Sequence, residues 1–189
     1  RVGAARVLVY PANLHPERSH ELVDGHRSVL AAYGIKDLKT FNRDWIGNPE
    51  VMVIAALSSK TGQVLGGARM HRAHSPSDLP LYQAVQDQDP DLGAHLQPFI
   101  EEGAFEISGL WNSLELAGMG VEATFLVQTA IAALPMLNAR HLFALTSPVT
   151  RRMQGAIGFH LEESVGNKGY FIYPTEKLKA NLARFTFPD

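Results

Sequence analysis
Two charged side chains sit where charge is costly, and one glycine pair sits where an anion could bind. Glu106 lies in Ala104–Trp111 (AFEISGLW), an otherwise apolar run of strand length. Burial raises a carboxyl pKa towards the range useful to a general base, so Glu106 is the candidate proton acceptor. Arg69, in the apolar run Val64–Met70, has a comparable ambiguity. It either grips a substrate carboxylate through its two-pronged guanidinium or pairs with Glu106 and fixes the core. Downstream, Glu115-Leu116-Ala117-Gly118-Met119-Gly120 separates the Glu106 strand from the apolar helical run Val121–Leu134. Glycines let a backbone turn with positive φ and expose its N–H groups, and a following helix aims its unpaired N–H groups and positive end at the same point. The backbone of Gly118, Met119, Gly120, Val121 and Glu122 could therefore hold a diphosphate. Asn112 and Ser113, just after Trp111, put polar groups in the loop before it, where they could touch a substrate.

Positioning these groups requires strands and helices in a definite order. Arg6–Tyr10 reads as a first strand. A helix follows from Pro16 to a stop at Gly34, with Leu22, Val23, His26, Val29, Leu30 and Tyr33 on one face. His26, on that apolar face, reads as a hydrogen-bonded core residue or a cleft wall. Lys36–Pro49 is irregular, anchored by Phe41 and Trp45. Val51–Leu57 and Val64–Met70 form a hairpin around Ser58–Gln63, and Gly66-Gly67 inside its second strand signals a bulge or a close approach by another group. Short helices are expected around 81–85 and 92–100, in a proline-rich insertion of the kind that often shapes a substrate mouth. After Pro135 come a strand at His141–Leu145, a short helix capped by Ser147-Pro148 and stopped by Gly158, and strands at Phe159–Val165 and Tyr170–Tyr173. A last amphipathic helix is expected from Thr175 to about Arg184.

With 189 residues, 46% hydrophobic and 19% charged, the chain suits a single soluble domain spanning 1–189. Its net charge of −2 supplies no field for nucleic acid, and the absence of cysteine excludes disulfides and thiolate chemistry. No apolar run is long enough to span a bilayer, and a cytoplasmic location is expected. His71 and His74 have a spacing that suits a metal only on a helix, and no third ligand stands out, so no metal is expected.

This order of elements, with ELAGMG, the helix 121–134, the strand 141–145 and Gly158-Phe159, resembles the GCN5-related N-acetyltransferase (GNAT) superfamily. The resemblance implies a mixed α+β fold, with a mostly antiparallel sheet of about seven strands splayed into a V and flanked by helices. It also implies acetyl-CoA or a longer acyl-CoA as co-substrate. The backbone around Leu110, Trp111 and Asn112 would hold the pantetheine, and the Gly118–Glu122 loop the diphosphate. The family's loop begins with Arg or Gln, where this chain has Glu115. Many members also place a tyrosine four residues before the Gly-Phe glycine, to protonate the leaving thiolate, and that position is Gln154 here. A narrower likeness is to acyl-homoserine-lactone and N-acyl amino acid synthases, through Glu106-Ile107-Ser108-Gly109-Leu110 and Gly67-Ala68-Arg69-Met70. Arg27 matches the arginine of their first helix. The arginine of their Glu-x-x-Arg pair is Gly109 here.

The expected activity is acyl transfer from acyl-CoA or an acyl carrier protein to a small amine or amino acid. Glu106 would act as base, with Arg69, Arg27 and Ser113 on the substrate. The alternative is a non-catalytic acyl-CoA-binding or sensing module. A third reading is a scaffold that forms a homodimer through its last strands. Arg151 and Arg152 are either solvated surface or contacts for the CoA 3′-phosphate or a carrier protein.

Overall fold
The computed structural model describes residues 3–36, 38 and 41–188, so residues 37, 39 and 40 of the expected irregular segment lie outside the described residues. Among the described residues, eight strands form one mixed sheet: β1 (Ala5–Pro11), β2 (Val51–Ser58), β3 (Val64–Ala73), β4 (Ala104–Asn112), β5 (His141–Thr146), β6 (His160–Leu161), β7 (Tyr170–Ile172) and β8 (Lys179–Thr186). Their order is β1-β2-β3-β4-β5-β8-β6, with β7 also on β8. The helices are α1 (Pro16–Ala32), α2 (Pro80–Val85), α3 (Leu92–Glu101), α4 (Leu114–Gly118), α5 (Ala123–Ala133) and α6 (Arg151–Ala156). No described helix is long and apolar enough to cross a membrane. The chain divides into two compact units, Arg1–Met70 with Ser108–Ala130, and His71–Ile107 with Ile131–Asp189.

In the first unit, β1 pairs antiparallel with β2 over its whole length, from Ala5↔Ser58 to Pro11↔Met52. β2 is buried along nearly all of its length because both its faces are covered, which is why it reads as a continuous apolar run rather than an alternation. Leu22 and Val23 of α1, together with Phe41, Trp45 and Trp111, join one apolar cluster with Val51, Val53 and Leu57. Tyr33, expected on the inner face of α1, is 78% exposed, because the helix has already ended at Ala32 and Tyr33 is its C-cap.

Gly25 and Gly66 both make room for β4. A Cβ on Gly25 would fall 2.2 Å from Trp111 Cη2, so the indole rests directly on the backbone of α1. At Gly66 it would fall 2.9 Å from the Trp111 carbonyl oxygen. A close approach, rather than spare flexibility, explains the Gly66-Gly67 pair.

In the second unit, β4 pairs in parallel with β5 over Ala104↔His141, Phe105↔Leu142 and Glu106↔Phe143, and β5 pairs antiparallel with β8 from His141↔Thr186 to Thr146↔Asn181. Leu79, Leu81, Val85, Leu92 and Leu96 pack with Phe143, Phe171 and Leu182. The insertion helices α2 and α3 are thus part of the core of this unit. A charged brace runs alongside. Glu162 accepts from Arg184 Nε at 2.7 Å and lies 2.5 Å from His95 Nε2, and the Arg184 guanidinium stacks on Phe99 at 4.0 Å. Burial pushes the Glu162 carboxyl up, but His95 and Arg184 outweigh it, and its pKa falls below the usual range.

Three expectations are corrected here. The last helix does not form: Lys179–Thr186 is strand β8, and Pro174–Leu178 is the turn that brings it back from β7. Lys, Leu and Ala favour a helix locally, but Ala180 to Ala183 are consecutively buried between β5 on one edge and β6 and β7 on the other, and this burial overrides propensity. The strand expected at Phe159–Val165 shrinks to two residues, because Glu162 turns to its ion pairs and Gly166 takes a left-handed φ of 60°. The helical run Val121–Leu134 is expected from its sequence to bury Phe125, Leu126, Thr129, Ala130, Ala133 and Leu134, but on α5 Phe125 is 49% exposed and Thr129 half-buried while Val127 is buried, so the inner face is rotated towards Val127.

Candidate functional site
In the first unit the candidate residues gather around the end of β4. Gly109 sits within the strand at φ 65°, a left-handed conformation that only glycine adopts cheaply. The space where its side chain would stand is filled: the ideal Cβ lies 2.9 Å from Arg69 Nη1 and 3.9 Å from His26 Nδ1. The departure from the Glu-x-x-Arg pattern is thereby explained, because the Arg69 guanidinium comes from β3 into the space beside position 109. Arg69 is 3% exposed and stacks on Trp45 with its guanidinium carbon 5.0 Å from the ring centre. His26 meets Phe41 edge-on at 5.2 Å, and Arg27 stands on the same phenylalanine at 5.7 Å, its own side chain exposed. Burial, reinforced by the Arg69 charge, lowers the His26 pKa from 6.5 to about 4, so the imidazole is neutral at pH 7. The sequence pointed to His26 as a buried histidine; the Arg69 charge that reinforces the effect of burial comes from 43 residues away in the chain.

Two buried donors of β4, Ser108 Oγ and Trp111 Nε1, have no hydrogen-bond partner among the described residues. Leu110 and Asn112 are half-buried. Ser113 is the N-cap of α4: its hydroxyl accepts from the Leu116 N–H at 3.1 Å.

The glycine turn contains a helix that the sequence reading missed. Residues 114–118 form α4, and Met119–Val121 close it. The Gly120 N–H donates to Ala117 O at 2.9 Å and the Val121 N–H to Leu116 O at 3.3 Å, with Gly120 at φ 81°, which is a Schellman cap. The Met119 N–H donates to Leu116 O at 3.0 Å. Three of the five expected diphosphate donors therefore serve the cap. In the first turn of α5 the Phe125 N–H donates to Glu122 O at 3.0 Å, and the amides of Ala123 and Thr124 precede any intrahelical acceptor. Glu115 and Glu122 are exposed.

Gly118 is the informative glycine. It is helical, its φ is not positive, and nothing lies within 4 Å of where its Cβ would be. Neither backbone strain nor packing requires a glycine there. Gly118→Ala is expected to leave thermal stability unchanged or raised by up to about 1 kcal/mol, from helix propensity. If a ligand backs against this turn, the same substitution should weaken acyl-CoA binding, as read by calorimetric titration. Unchanged affinity would move the phosphate site elsewhere.

In the second unit, Glu106 is 3% exposed on β4, and its Oε2 accepts from the Leu81 N–H at 2.8 Å. Leu81 stands in the first turn of α2, so the carboxylate satisfies one of the orphan donors of that helix. This partner was invisible in sequence, 25 residues away. Gln154, at the position of the family's tyrosine, is buried on α6. Its Nε2 donates to Thr146 Oγ1 at 2.8 Å, and its amide meets that of the fully buried Asn181 at 3.1 Å.

No family model and no curated protein matches the sequence. Solved structures do match the fold. The N-acyl amino acid synthase FeeM from uncultured soil microbes aligns over 99% of this chain and 93% of its own, with 13% identity and a TM-score of 0.69. An acyl-CoA N-acyltransferase from Pseudomonas aeruginosa aligns over 97% and 100%, with 11% identity and a TM-score of 0.64. An acetyltransferase of the GNAT family from Staphylococcus aureus Mu50 aligns over 98% and 100%, with 10% identity and a TM-score of 0.59. The eight-stranded, mostly antiparallel sheet with its flanking helices is therefore the fold of the GNAT acyl-CoA N-acyltransferases.

Proposed function
We propose that this chain is an N-acyltransferase, moving an acyl group from acyl-CoA or an acyl carrier protein to a small amine or amino acid by direct attack on the thioester. The observation that carries the reading is Gly118. A glycine that neither the backbone nor the packing needs stands in the turn between β4 and α5, where this fold family binds its diphosphate. The amine loses a proton and its nitrogen attacks the thioester carbon. The carbonyl oxygen becomes an oxyanion, and the C–S bond breaks to release the thiolate. Proximity supplies most of the rate gain. Glu106 is the proposed proton acceptor, and Arg69 and Arg27 are the proposed contacts for a carboxylate on the acceptor.

A non-catalytic acyl-CoA-binding module is the second reading, and two observations favour it. Gln154 cannot donate a proton at neutral pH and is already bonded to Thr146, and the Glu106 carboxylate already serves Leu81.

Thermal shift with acetyl-CoA and longer acyl-CoAs, followed by amine-dependent thiol release, separates the readings. A shift with thiol release supports the enzyme, and a shift without it supports the binding module. No shift with any acyl-CoA or acyl carrier protein overturns both. Glu106 is tested by a pair of variants. Glu106→Gln keeps an oxygen for the Leu81 N–H, so stability should hold while turnover falls by about a hundredfold or more. Glu106→Leu orphans that N–H and should cost about 1–3 kcal/mol in addition. Full turnover in Glu106→Gln would leave the carboxylate a structural anchor only.

A further inference from the structure
The second unit holds a cavity to which the proposed function assigns no ligand. It opens between α6, the β6 segment and β8, with a volume of about 390 Å³. That is within the size range of small-molecule sites, about 300–1,000 Å³. Gln154 and Asn181 line it with two buried amides held in a fixed mutual orientation. Phe159 and Leu161 give it an apolar wall. Arg151 and Glu163, both exposed, bring opposite charges to the same cavity. The Arg151 guanidinium is steadied by an Nη1 bond to the Tyr170 hydroxyl at 2.8 Å, which uses one of its five N–H donors.

A ligand that satisfies this lining carries an anion for the guanidinium fork, a cation for the carboxylate and an apolar group for the wall of Phe159 and Leu161. A simple anion would meet Glu163 as a like charge, and a simple amine would meet Arg151. We propose that this cavity binds a free α-amino acid with an apolar side chain, its carboxylate on Arg151 and its ammonium on Glu163. The site lies wholly within the second unit, and its occupancy by an amino acid can be measured without any acyl donor.

Calorimetric titration of the full chain with leucine, methionine and phenylalanine, without any acyl-CoA, tests it. Leucinamide lacks the carboxylate and N-acetylleucine lacks the ammonium, and each is expected to bind about tenfold more weakly than leucine. Arg151→Gln and Glu163→Gln should each weaken leucine by about the same factor with little change in melting temperature, since both side chains are at the surface. Gly155 also lines the cavity, with open space where its side chain would stand, so Gly155→Leu should fill it and abolish binding in a folded protein. Three results would overturn the proposal: no binding of any of the three amino acids at millimolar concentration, binding that all three substitutions leave intact, or analogues that bind as tightly as leucine. Because acyl-CoA is absent throughout, the thermal shift with acyl-CoA fails or succeeds independently.

Discussion

Gly67→Ala should cost about 3 kcal/mol or more, a large share of the roughly 5–15 kcal/mol that holds a typical domain folded. Two penalties coincide at this position. The residue has φ 156°, in a region that side-chain-bearing L-residues rarely adopt. Its ideal Cβ also falls 2.1 Å from the Ile54 carbonyl oxygen and 2.8 Å from Leu22 Cδ1. A leucine methyl can swing aside, but the Ile54 carbonyl cannot. It belongs to β2, an interior strand locked to β1 through Val9↔Ile54 and its neighbours. Gly34→Ala is the control. Gly34 also has positive φ, at 80°, but nothing lies within 4 Å of its Cβ position, so only backbone strain of about 1–2 kcal/mol should appear. Denaturant unfolding of both variants measures the difference. Equal midpoints would mean that β2 yields more readily than its pairing implies.

Stability should fall by about 3 kcal/mol from His26 alone as the pH drops from above 6.5 to about 4. The imidazole is neutral in the fold because burial, and then the Arg69 charge, oppose its protonation. The unfolded chain takes up the proton near pH 6.5, and the folded chain does so only near pH 4. Within that window the unfolded state binds more protons, so stability rises with pH across it and is fully present above it. His141 shifts in the same direction, also through burial, and deepens the acid loss. His26→Gln removes the titrating group. Its own stability at pH 7 matters less than its slope, which should be shallower than that of the parent by about the same 3 kcal/mol across the window. An unchanged slope would show that His26 takes up its proton in the fold at the same pH as in the unfolded chain, contrary to its burial beside Arg69.

Where the chain's local preferences agree with its burial, the sequence is legible. β1, β2, α1 and the Ser147-Pro148 start of the helical segment that leads into α6 lie where alternation, apolar runs, a first-turn proline and an N-cap put them. The corrections fall where contacts distant in sequence outweigh local preference. Lys179–Thr186 has helix-forming residues and becomes an interior strand. ELAGMG reads as a glycine turn, yet most of it is a one-turn helix with a Schellman cap, because Ser113 caps one end and Gly120 closes the other.

The candidate site divides in the same way. Its residue types were visible: a carboxylate and an arginine in apolar strands, and glycines before a helix. Their partners were not. Leu81 offers its N–H to Glu106, Trp45 and His26 crowd the Arg69 guanidinium, and Gly109 leaves the space that Arg69 Nη1 approaches. The sequence alone determined most of the order of elements and the placing of Glu106 and Arg69 in apolar strands, because periodicity and composition are local properties. Only the tertiary structure decided which charges are stabilised, which amides are already bonded and which glycines are forced. Each of those depends on a neighbour brought within a few ångströms by folding, such as the Ile54 carbonyl against Gly67, and no local pattern records it.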